Sequence, residues 1–209
     1  MELSILNISG KETGAKLSLS DAVFGVDPND HAIYLDVKQF LANQRQGTHK
    51  SKERNEIAGS TRKLHKQKGT GGSRKGAITN PLYKGGGRIF GPQPRDYSFK
   101  LNKKLKGVAR KSALTYKARE NNIVVLEDFR FDQVKTSHFV QMLENLNLHE
   151  SKSLFLLADN DQNLYLSSRN VQRTKIMRAT DLNTYDLLNA TKLILTASAV
   201  KIVEEAFSK

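Results

Sequence analysis

Three observations place the chain in the α/β class, as a three-layer α/β/α body with a mostly parallel sheet and one long, extended, basic loop. Continuous apolar runs, IVVLED at 123–128, SLFLLAD at 153–159 and KLILTAS at 192–198, alternate with amphipathic helical patterns. That alternation marks strands buried on both faces and crossed over by helices. From residue 47 to about 97 no period of 2 or 3.6 is sustained, and the stretch from Arg45 to Arg95 holds ten of the 14 glycines and three of the four prolines. Charge is segregated as well: Asn43 to Ser112 carries 19 Lys and Arg against three acids, a net of +16, whereas the remainder of the chain is net −3. The reading is a globular body of residues 1–46 and 98–209 around a basic insert of residues 47–97.

The elements follow in chain order. LSILNI at 3–8 and KLSL at 16–19 are too short for helices and read as strands. Pro28-Asn29-Asp30 opens a helix that turns Ile33, Val37, Phe40 and Leu41 inward; Asn29 or Asp30 caps its first amides and Gly47 is placed to end it. After the insert, a helix from about Lys103 to Glu120 has Leu105, Val108, Ala109, Ser112 and Tyr116 as its inner face and Lys103, Lys106, Arg110 and Lys117 as an outer stripe. Between the apolar runs lie a helix carrying Phe139, Met142, Leu143 and Leu146, a short helical stretch at Asn163 to Ser168, and the segment KIMRATD. A terminal helix uses Ala199, Ile202, Val203 and Ala206.

Composition excludes several chemistries. Without cysteine there is no disulfide, thiolate metal site or cysteine nucleophile. The opening MELSILNISGKETG has neither a leader nor a transit pattern, and no apolar run approaches bilayer length, so an intracellular soluble chain with no membrane partner is expected. The histidines at 31, 49, 65, 138 and 149 have no metal-type spacing and read as surface or capping residues. A phosphate loop started at Gly69 would need its second glycine where Arg74 stands, and G-x-G-x-x-G fails there too. Asp128, Asp159 and Asp161 fall at strand ends, where open sheets place ligands but where aspartates also cap helices and form turns. Ser198 lacks a G-x-S-x-G setting.

The insert's charge asks for a polyanion. A solvated linker would have similar charge, but Tyr83, Ile89, Phe90, Tyr97 and Phe99 are interleaved with the cations, and prolines stand at 81, 92 and 94. Aromatic rings stack on unpaired bases, prolines limit the entropy lost on ordering, and glycine lets backbone amides approach phosphates. An irregularly folded RNA suits such a loop better than a uniform duplex. The candidate contacts are Lys50, Lys52, Arg54, Arg62, Lys63 and Lys66, then Lys68, Arg74, Lys75, Tyr83, Lys84, Arg88 and Arg95. Lys100, Lys103, Lys104, Lys106 and Arg110 extend the set into the next helix.

KQKGTGGSRKGAITNPLYKGGGRIFGPQPRDYSFKLNKKLKGVARKSAL, followed in order by IVVLEDF, LFLLADNDQNLYLSSRNVQ and KLILTASAVKIVEEAF, resembles the signature of the family of large-ribosomal-subunit protein four. The resemblance covers essentially the whole chain. It implies a cytoplasmic structural protein, not an enzyme, with its body on the ribosome surface and its loop threaded inward through large-subunit ribosomal RNA. Neighbouring large-subunit proteins and the nascent peptide are the other implied partners; no cofactor, metal or small-molecule substrate is. By position, Lys66 to Gly71 match the family's loop signature, and Gly85 to Gly87 with Phe90 to Pro92 match the returning arm. Arg62, Lys63, Leu64, His65 and Lys66 stand where the tip approaches the nascent-peptide exit tunnel. His65 and Tyr83 stand where many members have tryptophan and Gly72 where arginine is frequent, so the family's stacking there and one phosphate contact do not carry over from the resemblance.

Two readings from other classes are distinguishable. An RNA-modifying enzyme would need a glycine-rich first βα turn and an acidic ribose ligand, where residues 5–25 offer only isolated Gly10, Gly14 and Gly25. A DNA-compacting protein would spread its charge over the body.

Overall fold

The computed structural model describes residues 1–208. They form two compact units, one of Met1–Leu41 with the chain from Lys100 onward and one of Ala42–Phe99. All the strands belong to the first unit: β1 Glu2–Leu6, β2 Glu12–Ser18, β3 Ile123–Leu126, β4 Ser153–Leu157, β5 Thr174–Arg178 and β6 Lys192–Thr196. They make one sheet in the order β2-β1-β3-β6-β4-β5. β1 and β2 are an antiparallel hairpin, and every other pairing is parallel.

The two-residue repeat of a strand divides the apolar side chains between two cores. Leu154 and Leu156 of β4 meet Leu193 and Leu195 of β6 on one face, while Phe155, Leu157 and Ile194 point to the other. The first face is covered by α1 (Asp21–Phe24), α3 (Lys103–Arg119), α6 (Thr184–Asn189) and α7 (Ala197–Ser208). The second is covered by α4 (Thr136–Asn145), through Phe139, Met142 and Leu143, and by α5 (Gln162–Ser168), through Leu164. Helices on both faces explain why β4 and most of β6 are buried along their length rather than alternating. The body is the expected three-layer α/β/α arrangement with a mostly parallel sheet.

Several details differ from the sequence reading. The helix α2 (Asp30–Asn43) buries Ala32, Ile33, Asp36 and Gln39, not Ile33 with Val37, Phe40 and Leu41. Its inner contacts are partly polar: Thr184 donates to Asp36 Oδ2 at 2.5 Å, and Phe40 stacks on Tyr185 with centroids 4.9 Å apart. Docking on the start of α6 in this way rotates the buried face, and Leu41 is left exposed. Asn29 caps the helix by accepting from Ala32 N at 2.9 Å, while Asp30 accepts from the Tyr116 hydroxyl at 2.6 Å. The helix stops at Asn43, so Gly47 does not end it.

Helix α3 departs from a single stripe because α1 and α6 contact it besides the sheet core. Ala113, Leu114 and Thr115 are buried, Val108 is exposed, and Lys117 is buried rather than on the outer stripe. Desolvation lowers the Lys117 pKa. In α7, Phe207 is buried in place of Ala206. The short elements α1, α6 and the 3-10 turn Ala179–Asp181 complete about one turn or less than two each, too little for a helical period to register.

Candidate nucleic-acid interface

Past Asn43 the second unit has neither helix nor strand, yet its two arms are paired. Phe99 N donates to Asn43 Oδ1 at 3.3 Å, Arg95 N to Gly47 O at 3.1 Å, Ser51 N to Pro92 O at 3.0 Å and Arg88 N to Lys52 O at 3.0 Å. Farther along, Gly87 N donates to Thr79 O at 3.1 Å, and Leu64 N to Gly76 O at 3.2 Å closes the tip. Burial contributes little: Ala77, Thr79 and Gly87 are the buried residues of this unit.

Part of the glycine content is a steric requirement of this pairing. Gly47 has φ +65, and a Cβ on it would lie 2.0 Å from Arg95 O and 3.0 Å from the Tyr97 ring. A Cβ on Gly87 would lie 2.5 Å from Arg54 N. At these positions the close approach is made to the insert's own backbone. At Gly72, by contrast, an added Cβ meets nothing within 4 Å.

At the root of the arms, Tyr97 collects charge. The Arg45 guanidinium carbon is 3.7 Å from its ring centroid and that of Arg95 is 4.4 Å away. His49 stacks at 6.2 Å, with Nε2 3.4 Å from the Tyr97 hydroxyl oxygen. A hydrogen bond from Arg95, reinforced by the charges of Arg95 and Arg45, lowers the Tyr97 pKa. One of the rings expected to stack on a base is thus engaged within the insert, whereas another, Phe90, is 99% exposed and Ile89 62%.

The predicted contact residues are largely open to solvent. Lys50, Lys52, Arg54, Lys66, Lys68, Arg74, Lys84, Arg88 and Arg95 are exposed, and so is the whole tip Arg62 to Lys66. Lys63 donates to Gln67, the residue just past the tip. Lys75 and Tyr83 are half-buried, with Lys75 Nζ 5.9 Å from the Tyr83 ring centroid. Lys50 pairs with Glu56, which raises the lysine's pKa and lowers the glutamate's. On α3 and just before it, Lys100, Lys103 and Lys104 are exposed and Lys106 and Arg110 half-buried. Two buried polar atoms, Arg110 Nε and Tyr83 Oη, have no hydrogen-bond partner among the described residues. Arg45 and His49 were missed as binding candidates. Arg45 precedes the stretch where periodicity fails, although the charge count already included it.

Two of the three aspartates at the strand ends, Asp128 and Asp161, have structural work. A cavity of about 340 Å³ at the carboxyl ends of β3, β4 and β6 is lined by Asp128, Asp159, Asp161 and Ser198 among others. Asp161 accepts from Asn163 N at 3.0 Å and Leu164 N at 3.3 Å, capping α5, and from Phe131 N at 3.2 Å. Asp128 accepts from Ser198 N at 3.1 Å and from the Ser198 hydroxyl, fixing the start of α7. Among the described residues no three His, Cys, Asp or Glu side chains group to hold a metal, and no helix is long and apolar enough to cross a membrane.

A family model described as the ribosomal protein L4/L1 family matches residues 17–206. The chain is 58% identical over 207 residues to the large ribosomal subunit protein uL4 of Parabacteroides distasonis, covering 99% of each chain. It is 57% identical over 209 residues to the protein of the same name in Flavobacterium psychrophilum, with 100% of both covered. A third relative so named, from Phocaeicola vulgatus, is 57% identical over 208 residues with 100% of both covered.

Proposed function

Because the chain belongs to the ribosomal protein L4/L1 family, we propose that it is a structural component of the large ribosomal subunit that binds large-subunit ribosomal RNA through its basic insert and the outer face of α3. It is not an enzyme, as members of that family are structural components. It acts in the cytoplasm within the subunit, beside neighbouring large-subunit proteins. Binding free energy does the work: phosphate counterions are released as cations dock, and RNA orders an insert that buries almost no apolar surface of its own.

The observation that carries this reading is the exposure of the cations in a segment that has few carboxylates to pair them. Between Ala42 and Phe99 only Glu53, Glu56 and Asp96 are acidic. Their charges meet nearby partners: Gln93 donates to Glu53 at 2.6 Å, Lys50 pairs with Glu56, and Asp96 accepts from Ser98 N at 2.8 Å. The tip Arg62, Lys63, Leu64, His65 and Lys66 mixes cations with one apolar and one imidazole side chain. That mix suits an aqueous passage walled by RNA, and we assign it to the nascent-peptide exit tunnel.

The experiment places a photoreactive group at position 65 of the full chain and assembles it into subunits. Co-sedimentation with large subunits in high salt is expected, followed by cross-linking to nascent chains long enough to pass the tip. Failure to co-sediment removes the ribosomal reading. Co-sedimentation with cross-links to ribosomal RNA alone, where a known tunnel probe succeeds, removes only the tunnel assignment.

A further inference from the structure

We propose that Arg45 and Arg95, held against the Tyr97 ring with His49 beside them, form a clamp for a single RNA phosphodiester at the root of the insert. The inference rests on the reading that the insert binds RNA, and it adds two residues, Arg45 and His49, that charge and family signature did not single out.

The geometry bounds the site. With guanidinium carbons 3.7 Å and 4.4 Å from one ring centroid, the two cations lie no more than 8.1 Å apart. Charge-assisted N–H···O contacts of about 2.8 Å on either side let one phosphate group span such a separation. Guanidinium forks also match phosphate oxygens in a way that an ammonium does not.

The electrostatics call for an outside anion. Like charges this close repel, and an anion seated between them would relieve that repulsion. Among the described residues, none of the ion pairs involves either arginine. The nearest carboxylate in sequence, Asp96, accepts from Ser98 N at 2.8 Å and Ser98 Oγ at 2.7 Å, and the two glutamates of the unit are engaged by Lys50 and Gln93. The backbone, meanwhile, is fixed to keep the pair together. Arg95 N donates to Gly47 O at 3.1 Å, and Gly47, at φ +65, permits that approach, since a Cβ there would strike Arg95 O and the ring. The guanidiniums are thereby preorganised, so less conformational freedom is lost when the phosphate arrives.

A shared phosphate makes a prediction that two independent contacts do not. The slope of log affinity against log salt for the full-length protein and a large-subunit ribosomal RNA transcript counts neutralised phosphates. The double variant Arg45→Gln with Arg95→Gln is expected to reduce that slope by about one, with each single variant reducing it by less. Tyr97→Leu, which releases both arginines from the ring, should match the double variant, while Tyr97→Phe keeps the wild-type slope.

An unchanged slope in the double variant overturns the clamp, as does a loss of about two built from additive singles. Lys66→Ala is the control for the underlying reading: if its slope falls while the double variant's does not, RNA binding stands and the clamp does not. If the wild type shows no salt-dependent binding at all, the RNA reading itself is lost. Inorganic phosphate is the remaining arm. Competition by it beyond that of chloride at equal ionic strength, abolished in the double variant, would make this a free-anion site and overturn its assignment to the polynucleotide.

Discussion

The body and the insert reach order by opposite routes. In the body, two apolar cores on either side of the sheet remove side chains from water, with Phe139 and Phe155 buried and their ring centroids 5.6 Å apart. In the insert, three small buried residues are all that is hidden, and the arms are joined by scattered backbone hydrogen bonds, glycine contacts and a tyrosine loaded with guanidiniums. Apolar burial stabilises by roughly 25 cal/mol per Å² without needing a partner. Exposed hydrogen bonds exchange with water and contribute little net. A chain can thus specify a shape locally through steric and stacking rules while leaving most of the free energy of holding it to another molecule.

The largest test removes core from the body. Phe155→Ala should destabilise it by about 3–5 kcal/mol, because it removes a ring packed between the sheet and α4 and leaves a cavity in its place. Urea denaturation followed by far-ultraviolet circular dichroism checks this. A loss below about 1 kcal/mol would mean that the second core is not cooperative with the rest.

A smaller effect should separate the two regions. In the free protein, trypsin is expected to cut first between Lys50 and Arg95, where exposed cations lie on backbone without a core. Gly47→Ala adds a side chain at a left-handed position already in contact with Arg95 O, so it should accelerate cleavage in the insert several-fold. The urea midpoint of the body should stay unchanged. A parallel fall in that midpoint would show that the insert's root contributes to the body's stability, erasing the contrast. Early cuts within 123–207 would contradict it outright.

The smallest expected change is at Lys117. Burial depresses its folded pKa, so between that value and its unfolded pKa the unfolded state binds more protons, and stability contributed at this site rises with pH through that alkaline window. Lys117→Met should remove this slope and alter neutral-pH stability by no more than about 1 kcal/mol in either direction. Its slope of RNA affinity against salt should equal the wild type's, since the residue is buried in the body rather than presented on the outer stripe. A flatter salt slope would put Lys117 among the contacts.

The class of the body is legible in its residues alone, because apolar runs that fill both faces of a strand have few alternatives to a covered parallel sheet. So is the position of the aperiodic basic segment, since charge and glycine content are read without knowing any contact. A cap at Asn29 or Asp30 followed from local chemistry alone, which reaches only a few residues along the chain, and the structure selects Asn29. Tertiary structure decided what depends on the neighbour's surface. The rotation of α2 needed Thr184 and Tyr185, the wide buried arc of α3 needed α1 and α6, and the true role of Gly47 needed Arg95 and Tyr97 on the returning arm. Arg45 and Arg95 are 50 residues apart in sequence, and only their meeting on one ring turns two ordinary surface cations into a site. Periodicity registers which side of an element avoids water; it carries no information about which distant residue will stand there.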